Sequence, residues 1–124
     1  MENITLDCGM RSFQINDGGV LRFNPADPNV YTRFQQALET LNTLEKDIHD
    51  DMTPAQLTQL DQKLKALLGQ VFGAHNDFDV ILSGVSLLAT AHNGKSVIVN
   101  LMDALAPVLE QGAETFVNSV VDAS

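Results

Sequence analysis

The fold is decided where the chain reads Val20-Leu21-Arg22-Phe23-Asn24-Pro25-Ala26-Asp27-Pro28-Asn29-Val30-Tyr31-Thr32-Arg33-Phe34. Up to Phe23 the apolar residues alternate, which is the period of a β-strand, and from Val30 onward they recur at helical spacing. Between the two patterns, Asp27 can accept from the free amides of a first helical turn. Pro28 suits the first helical position, where a missing N–H costs nothing. The stretch therefore predicts a strand that leads directly into a long helix.

The preceding residues predict a small β element. Residues 4–8 and 11–15 alternate loosely and read as strands, and Asp17-Gly18-Gly19 is a turn signal because glycine accepts positive φ at low cost. Residues 1–24 therefore predict a hairpin or a three-stranded meander. Because a lone hairpin is marginally stable, it must pack on the helices or on another subunit.

Two helices follow. The first is expected from about Pro28 to about His49, with one apolar stripe at helical period: Val30, Phe34, Leu38, Leu41, Leu44 and Ile48. The second begins at Thr53-Pro54-Ala55-Gln56, which combines an N-cap Thr, a Pro at the first helical position and a capping-box Gln. It should end at Gly73. A short acidic turn joins the two helices, which predicts an antiparallel αα-hairpin.

The last part of the chain predicts less regular structure and then a final helix. Residues 77–82 and 87–91 read as two short helical turns. The final helix should begin near Ser96, and Pro107 inside it should produce a bent helix or two helices. The predicted fold class is mainly α with a small N-terminal β-hairpin or meander, an αα-hairpin and a kinked C-terminal helix. One domain, residues 1–124, comprises a β element (1–24) and a helical body (25–124).

Composition narrows the classes of function. The 124 residues carry a net charge of −9 and a pI near 4.4, which argues against nucleic acid and anionic membranes as partners. The single Cys8 excludes a disulfide within one chain. The apolar run 85–108 is interrupted by His92-Asn93-Gly94-Lys95 and by Asp103, so it does not predict a membrane span. No signal-peptide pattern is present, and we expect a cytoplasmic protein.

No constellation of residues predicts catalysis, a metal or a cofactor. The three histidines lie far apart in sequence, at His49, His75 and His92. Asp77-Phe78-Asp79 does not continue as a calcium loop, because Ile81 stands where a ligand is needed. Gly94-Lys95-Ser96 ends like a phosphate-binding loop, but the first glycine of that motif is replaced by Ala89. The sequence therefore predicts a protein that is not an enzyme and has no cofactor.

Apolar surface is the remaining candidate for function. The stripe of the final helix is either a core contact with the αα-hairpin or a groove for a partner. Tyr31 and Arg33 are either boundary residues or interface anchors. The candidate partner interface comprises Tyr31, Arg33, Leu101, Leu105, Val108 and Phe116.

Several segments resemble one protein family. Residues 6–16, the stretch 22–34 that contains Arg22-Phe23-Asn24-Pro25-Ala26-Asp27, and Val71-Phe72-Gly73 followed by Asp77-Phe78-Asp79-Val80-Ile81-Leu82-Ser83-Gly84 are similar to tail assembly chaperones of siphophages and prophages of Firmicutes. This resemblance implies a non-enzymatic assembly factor in the cytoplasm of the bacterial host cell. Its implied partners are the tape measure protein and the tail tube protein.

Other classes stay open beside that resemblance. The chain could be a structural tail-completion or connector protein of a phage or prophage, or a small regulatory or ligand-binding module. A homo-oligomer is also expected, because a lone hairpin presents strand edges that pairing between subunits would satisfy.

Overall fold

The computed structural model of the protein describes residues 1–123, with side chains as far as residue 120. Over this range the chain forms one antiparallel hairpin and four helices, in the order β1 (Arg11–Ile15), β2 (Gly19–Phe23), α1 (Pro28–Glu45), α2 (Pro54–Phe72), α3 (Phe78–Ile81) and α4 (Val97–Ala123). This architecture confirms the predicted mainly α fold class with a small β-hairpin.

The β element is a two-stranded hairpin and not a meander. Its register places Arg11 opposite Phe23 and Ile15 opposite Gly19, and Phe23 is buried against the helices. The predicted strand over residues 4–8 is wrong, because these residues take part in no sheet. Their apolar side chains are not packed against the rest of the described chain: Ile4, for example, is 93% exposed.

α1 begins where the sequence predicts. The Asp27 carboxylate accepts from the Asn29 amide at 2.9 Å, and Pro28 occupies the first turn. The helix ends at Glu45, short of the predicted end near His49. The residues that follow are rich in aspartate, and negative charge is unfavourable at the carbonyl end of a helix.

α2 carries the predicted capping box and the predicted end. The Gln56 amide donates to the Thr53 hydroxyl at 3.2 Å, and the Thr53 amide donates to the Gln56 side chain at 2.8 Å. Gly73 follows the last helical residue as the C-cap. α1 and α2 pack together, as the αα-hairpin prediction requires.

The segment between α2 and α4 contains one short helix. Asp77 caps α3 by accepting from the amides of Asp79 and Val80. The second predicted helical turn, over 87–91, is wrong: these residues form turns and a bridge between Thr90 and Ser96. Local bonds from the Leu88 and Ala89 amides to Ser86 form the turn. The Leu87 amide donates to a side chain of α2, and the Leu87 and Ala89 carbonyls accept from the first amides of α4, so the segment does not continue as a helix.

α4 runs as a single helix from Val97 to Ala123, with Pro107 inside it. The alternative of two separate helices is therefore wrong. Leu101, Leu105 and Leu109 are buried, and α4 contacts α1. These residues confirm the interpretation of the stripe as a core contact.

Four phenylalanines join the elements. The Phe72 ring of α2 lies 4.7 Å from Phe23 of β2, 6.5 Å from Phe34 of α1 and 6.0 Å from Phe78 of α3, measured between ring centroids. All four residues are at most 4% exposed. Aromatic pairs at such separations stabilise a fold beyond the area that they bury.

α4 approaches the β-to-α1 connection through Gly112. This glycine is buried, and a Cβ atom built on it would collide with the Pro25 carbonyl. Glycine weakens a helix interior, so its presence here is explained by the close approach of two backbones.

We predict that Gly112→Ala destabilises the protein. Alanine favours a helix by about 0.5–1 kcal/mol over glycine, but the clash with the Pro25 backbone should outweigh this gain and leave a net loss of about 1–3 kcal/mol. Urea denaturation followed by circular dichroism measures the change.

The matched control is Ala104→Gly at an exposed position of the same helix. It should lose about 1 kcal/mol through helix propensity alone. A Gly112→Ala variant that is more stable than the wild type would contradict the close approach.

Candidate protein-binding groove

An apolar groove of about 410 Å³ opens between α1, α2 and the first half of α4. We call it the groove. Its lining is mostly aliphatic and comprises Leu38, Leu41, Asn42, Leu44, Glu45, Ile48, Leu57, Leu60, Leu64, Leu88, Ser96, Ile98, Val99, Met102 and Asp103.

The groove forms because the apolar stripes of α1 and α2 extend to the ends of the two helices that are joined by the polar connection. Leu41 and Leu44 are only half-buried. Ile48, Leu57 and Val99 are 44%, 36% and 37% exposed. A contiguous set of exposed aliphatic side chains with a polar rim is typical of a protein or ligand contact surface.

The charged residues of the rim are acidic. Glu45 of α1 and Asp103 of α4 line the groove beside the neutral Asn42 and Ser96. Lys95 reaches Asp103 at 3.5 Å, but both side chains are more than half exposed. An exposed pair of this kind is weak, so the rim favours a partner that carries positive charge beside its apolar residues.

A buried charge network supports one wall of the groove. The Lys65 ammonium lies 2.9 Å from Asp61, on its own helix, and 2.8 Å from Asp79 of α3. The other Asp61 oxygen accepts from the Leu87 amide at 2.8 Å. Since Leu88 lines the groove, Asp61 positions the segment that places this side chain.

The network raises the pKa of Lys65 above its ordinary value of 10.5. Burial is the largest single influence and favours the neutral amine, but the hydrogen bonds and the negative charges of Asp79 and Asp61 together outweigh it. Lys65 is therefore held as a cation although only 8% of its side chain is exposed.

The structure places the candidate interface residues outside the groove lining. Leu101 and Leu105 are 7% and 4% exposed and belong to the core, which leaves them little accessible surface in the folded chain. Val108 is half-buried against the same core. These three side chains therefore offer little to a partner.

The other candidates pair with the rest of the chain. The Tyr31 and Phe116 rings meet edge to face, 6.2 Å between centroids. The Arg33 guanidinium donates through Nε to the Val71 carbonyl at 3.0 Å. Both contacts hold α1 to its neighbours, and an interface role for these residues stays a prediction.

Sequence reasoning missed the exposed groove residues, of which Ile48, Leu57 and Val99 are the clearest. Ile48 and Leu57 flank the acidic connection between α1 and α2. An apolar residue on each side of a polar turn is the signal that could have identified them, since a turn of that composition cannot cover its neighbours.

Among the residues that the structure describes, no three His, Cys, Asp or Glu side chains are grouped to hold a metal ion. Within the same range, none of the helices is both long enough and apolar enough to cross a bilayer.

Comparisons of the chain with models of protein families, with curated proteins and with solved structures give no match. The similarity to tail assembly chaperones therefore rests on the sequence segments given above, and it stays a prediction.

We predict that Lys65→Met lowers the free energy of unfolding by about 3–5 kcal/mol, because Asp61 is left as a buried carboxylate without a cation. The double variant Asp61→Asn, Lys65→Met removes both charges and keeps an oxygen for the Leu87 amide, so it should be more stable than Lys65→Met alone. Urea denaturation measures all three proteins.

The control for this series is Asp79→Ala. Its carboxylate is 67% exposed, so the loss should be at most about 1 kcal/mol. If Asp79→Ala costs as much as Lys65→Met, the buried pair is not the source of the stability.

The raised pKa of Lys65 also predicts an alkaline effect. Because the folded pKa exceeds the unfolded one, the added stability is fully present below pH 10.5 and is lost as the pH rises through the raised value. The difference in unfolding free energy between wild type and Lys65→Met should therefore be constant at neutral and mildly alkaline pH and then shrink as the pH rises through the raised value. A difference that grows with pH would mean that the folded pKa is lowered.

Proposed function

We propose that this protein is a non-enzymatic assembly chaperone whose groove receives the apolar stripe of a helix in another protein. The observation that carries the proposal is the exposed aliphatic lining at Ile48, Leu57 and Val99, which is continuous with the half-buried Leu41 and Leu44. Aliphatic grooves between helices bind amphipathic helices through side chains at intervals of three and four residues.

The charge of the chain supports a protein partner with a particular chemistry. The rim contributes Glu45 and Asp103, and the whole chain has a net charge of −9. A helix whose apolar stripe is flanked by lysine or arginine would be attracted to such a rim, and the attraction would speed association. The same charge keeps a protein with exposed apolar surface in solution.

The resemblance supplies the identity of the proposed partner. In tail assembly chaperones of siphophages and prophages, the implied client is the tape measure protein, a long helical and apolar chain, and the chaperone recruits the tail tube protein to it. We propose the same role for this chain in the cytoplasm of a bacterial host cell. Covering apolar stripes of such a client would prevent its aggregation before the tube is built.

The experiment is co-expression of the full chain with the tape measure protein encoded beside its gene. We expect the client to stay soluble and to co-purify with this protein. Leu57→Glu and Val99→Glu place a charge in the groove at partly exposed positions, so the chain should stay folded. Each should weaken binding about tenfold or more, because burial of one such side chain exceeds the free energy of one decade in Kd.

The matched control is Val117→Glu, which makes the same kind of change at an aliphatic residue that is 51% exposed and does not line the groove. It should bind as the wild type does. Equal loss in all three variants would contradict the groove as the binding surface. Recovery of the protein in purified particles, with no binding to the free client, would favour a structural tail-completion or connector protein.

A further inference from the structure

The outer edge of β1 is open. The Asn76 side chain accepts from the Arg22 amide at 2.9 Å and donates to the Arg22 carbonyl at 2.8 Å, so these groups point away from β1. Since paired residues of a hairpin alternate between bonded and non-bonded, Ser12 and Gln14, opposite Arg22 and Val20, also direct their backbone groups outward. Among the described residues, none donates to them or accepts from them.

The side chains beside this edge are incompletely covered as well. Phe13 and Ile15 lie on the core face of β1, opposite the buried Leu21 and Gly19, yet they are only half-buried. A further strand along β1 with apolar residues on the same face would cover them and would satisfy the free backbone groups.

Residues 1–6, which we call the arm, have the pattern of such a strand. Ile4 and Leu6 are two residues apart and would share one face of a strand, and they are 93% and 75% exposed. No hydrogen bond joins the arm to the remainder of the described chain. These two aliphatic side chains are neighbours on one face and are largely exposed. They form apolar surface that association with another surface would bury.

A turn fixes the residues that follow the arm, while the backbone groups of the arm itself stay unpaired. The Asn24 side chain donates through Nδ2 to the Cys8 carbonyl at 2.8 Å, and the Asp7 carboxylate accepts from the Gly9 backbone amide at 2.8 Å. Gly9 has a φ of 71°, and a side chain there would meet Asn24. The turn lies between the arm and β1, and in this structure the arm takes no part in the sheet.

The distribution of charge also favours the arm as the strand that pairs with the β1 edge. The arm carries Glu2 and no lysine or arginine, and Asp7 follows it in the turn, whereas the exposed positions of the hairpin include Arg11 and Arg22 beside a single carboxylate, Asp17. In a chain of net charge −9, the hairpin is one of the few places that attract an acidic strand.

We propose that the arm of one copy of this protein adds as a third strand to the β1 edge of a second copy. Ile4 and Leu6 then cover Phe13 and Ile15 of the second copy, and the arm backbone pairs with Ser12 and Gln14. The contact joins two different surfaces, so it builds a closed ring or an open chain, and the smallest closed ring is a two-fold dimer in which both copies exchange arms. It does not depend on the proposed client.

The experiment uses sedimentation velocity on two full-length variants and their mixture. Ile4→Asp, Leu6→Asp disables the arm at exposed positions. Gln14→Pro disables the edge by removing an outward N–H, a position where a strand tolerates proline. The wild type should self-associate, and each variant alone should associate at least about tenfold more weakly, since even one buried aliphatic side chain is worth a decade in Kd. Mixed, they should form a one-to-one dimer, because one retains its edge and the other its arm.

Disulfide cross-linking between copies tests the same contact without the Gln14→Pro variant. In a Cys8→Ser background, one copy carries Thr5→Cys and the other Gln14→Cys. We expect a mixed disulfide dimer in excess over either homodimer. A pair with Val85→Cys, at an exposed residue outside the hairpin, should give no such excess.

Three results would overturn the proposal. A wild type that is monomeric at high micromolar concentration would show that the arm does not join copies. Association of the arm variant as strong as that of the wild type would indicate pairing between two β1 edges. Intramolecular cross-linking in a single chain that carries both Thr5→Cys and Gln14→Cys, at the expense of the mixed dimer, would place the arm on its own edge.

Discussion

The contacts of the Phe72 ring hold the structure together. This ring, at the end of α2, meets one phenylalanine from each of β2, α1 and α3: Phe23, Phe34 and Phe78. A hairpin of two strands is marginal alone, and the contact of Phe23 with Phe72 joins it to the core beside the buried Leu21. α3 is a single short helix that could not persist in water by itself, and Phe78 attaches it to the same ring. One large apolar residue of a long helix therefore contacts each of the small elements.

Polar side chains complete the attachment in places where backbone pairing is absent. Asn76 supplies the Arg22 backbone with one donor and one acceptor, as a neighbouring strand would. Asp61, from within α2, supplies the Leu87 amide with an acceptor. Buried backbone groups need partners, so two side chains replace secondary structure that the chain does not form. Among the described residues, no side chain takes this part at the β1 edge. The β1 edge, and not the β2 edge, is therefore the side of the hairpin that is open to another strand.

The sequence predicted the features that are encoded locally. The cap at Asp27 and the box formed by Thr53 and Gln56 join residues two or three apart, and such signals are visible in any short window. Asn76 and Arg22 are 54 residues apart, and Asp61 and Leu87 are 26 apart, so no window contains both partners. The irregular course of 87–91 depends on the bond from Asp61 and on bonds to the start of α4. The groove was not predicted, for a related reason. Periodicity identified the Leu41–Leu44 stripe, but the placement of α4 determines how much of that stripe is covered.

The groove and the β1 edge differ in what they require of a partner. The groove is lined by aliphatic side chains and binds without backbone hydrogen bonds, so any helix with suitably spaced apolar residues fits it, and a long helical partner would offer many such places. The edge requires a strand whose backbone groups are unpaired and whose apolar residues alternate, and register then matters because a shift of one residue turns the side chains to the wrong face. The groove therefore suits a partner whose apolar stripe varies along its length, whereas the β1 edge suits an identical copy of this chain. On the proposed assignments, the same fold can therefore accept varied client segments and still arrange its own copies in one fixed geometry.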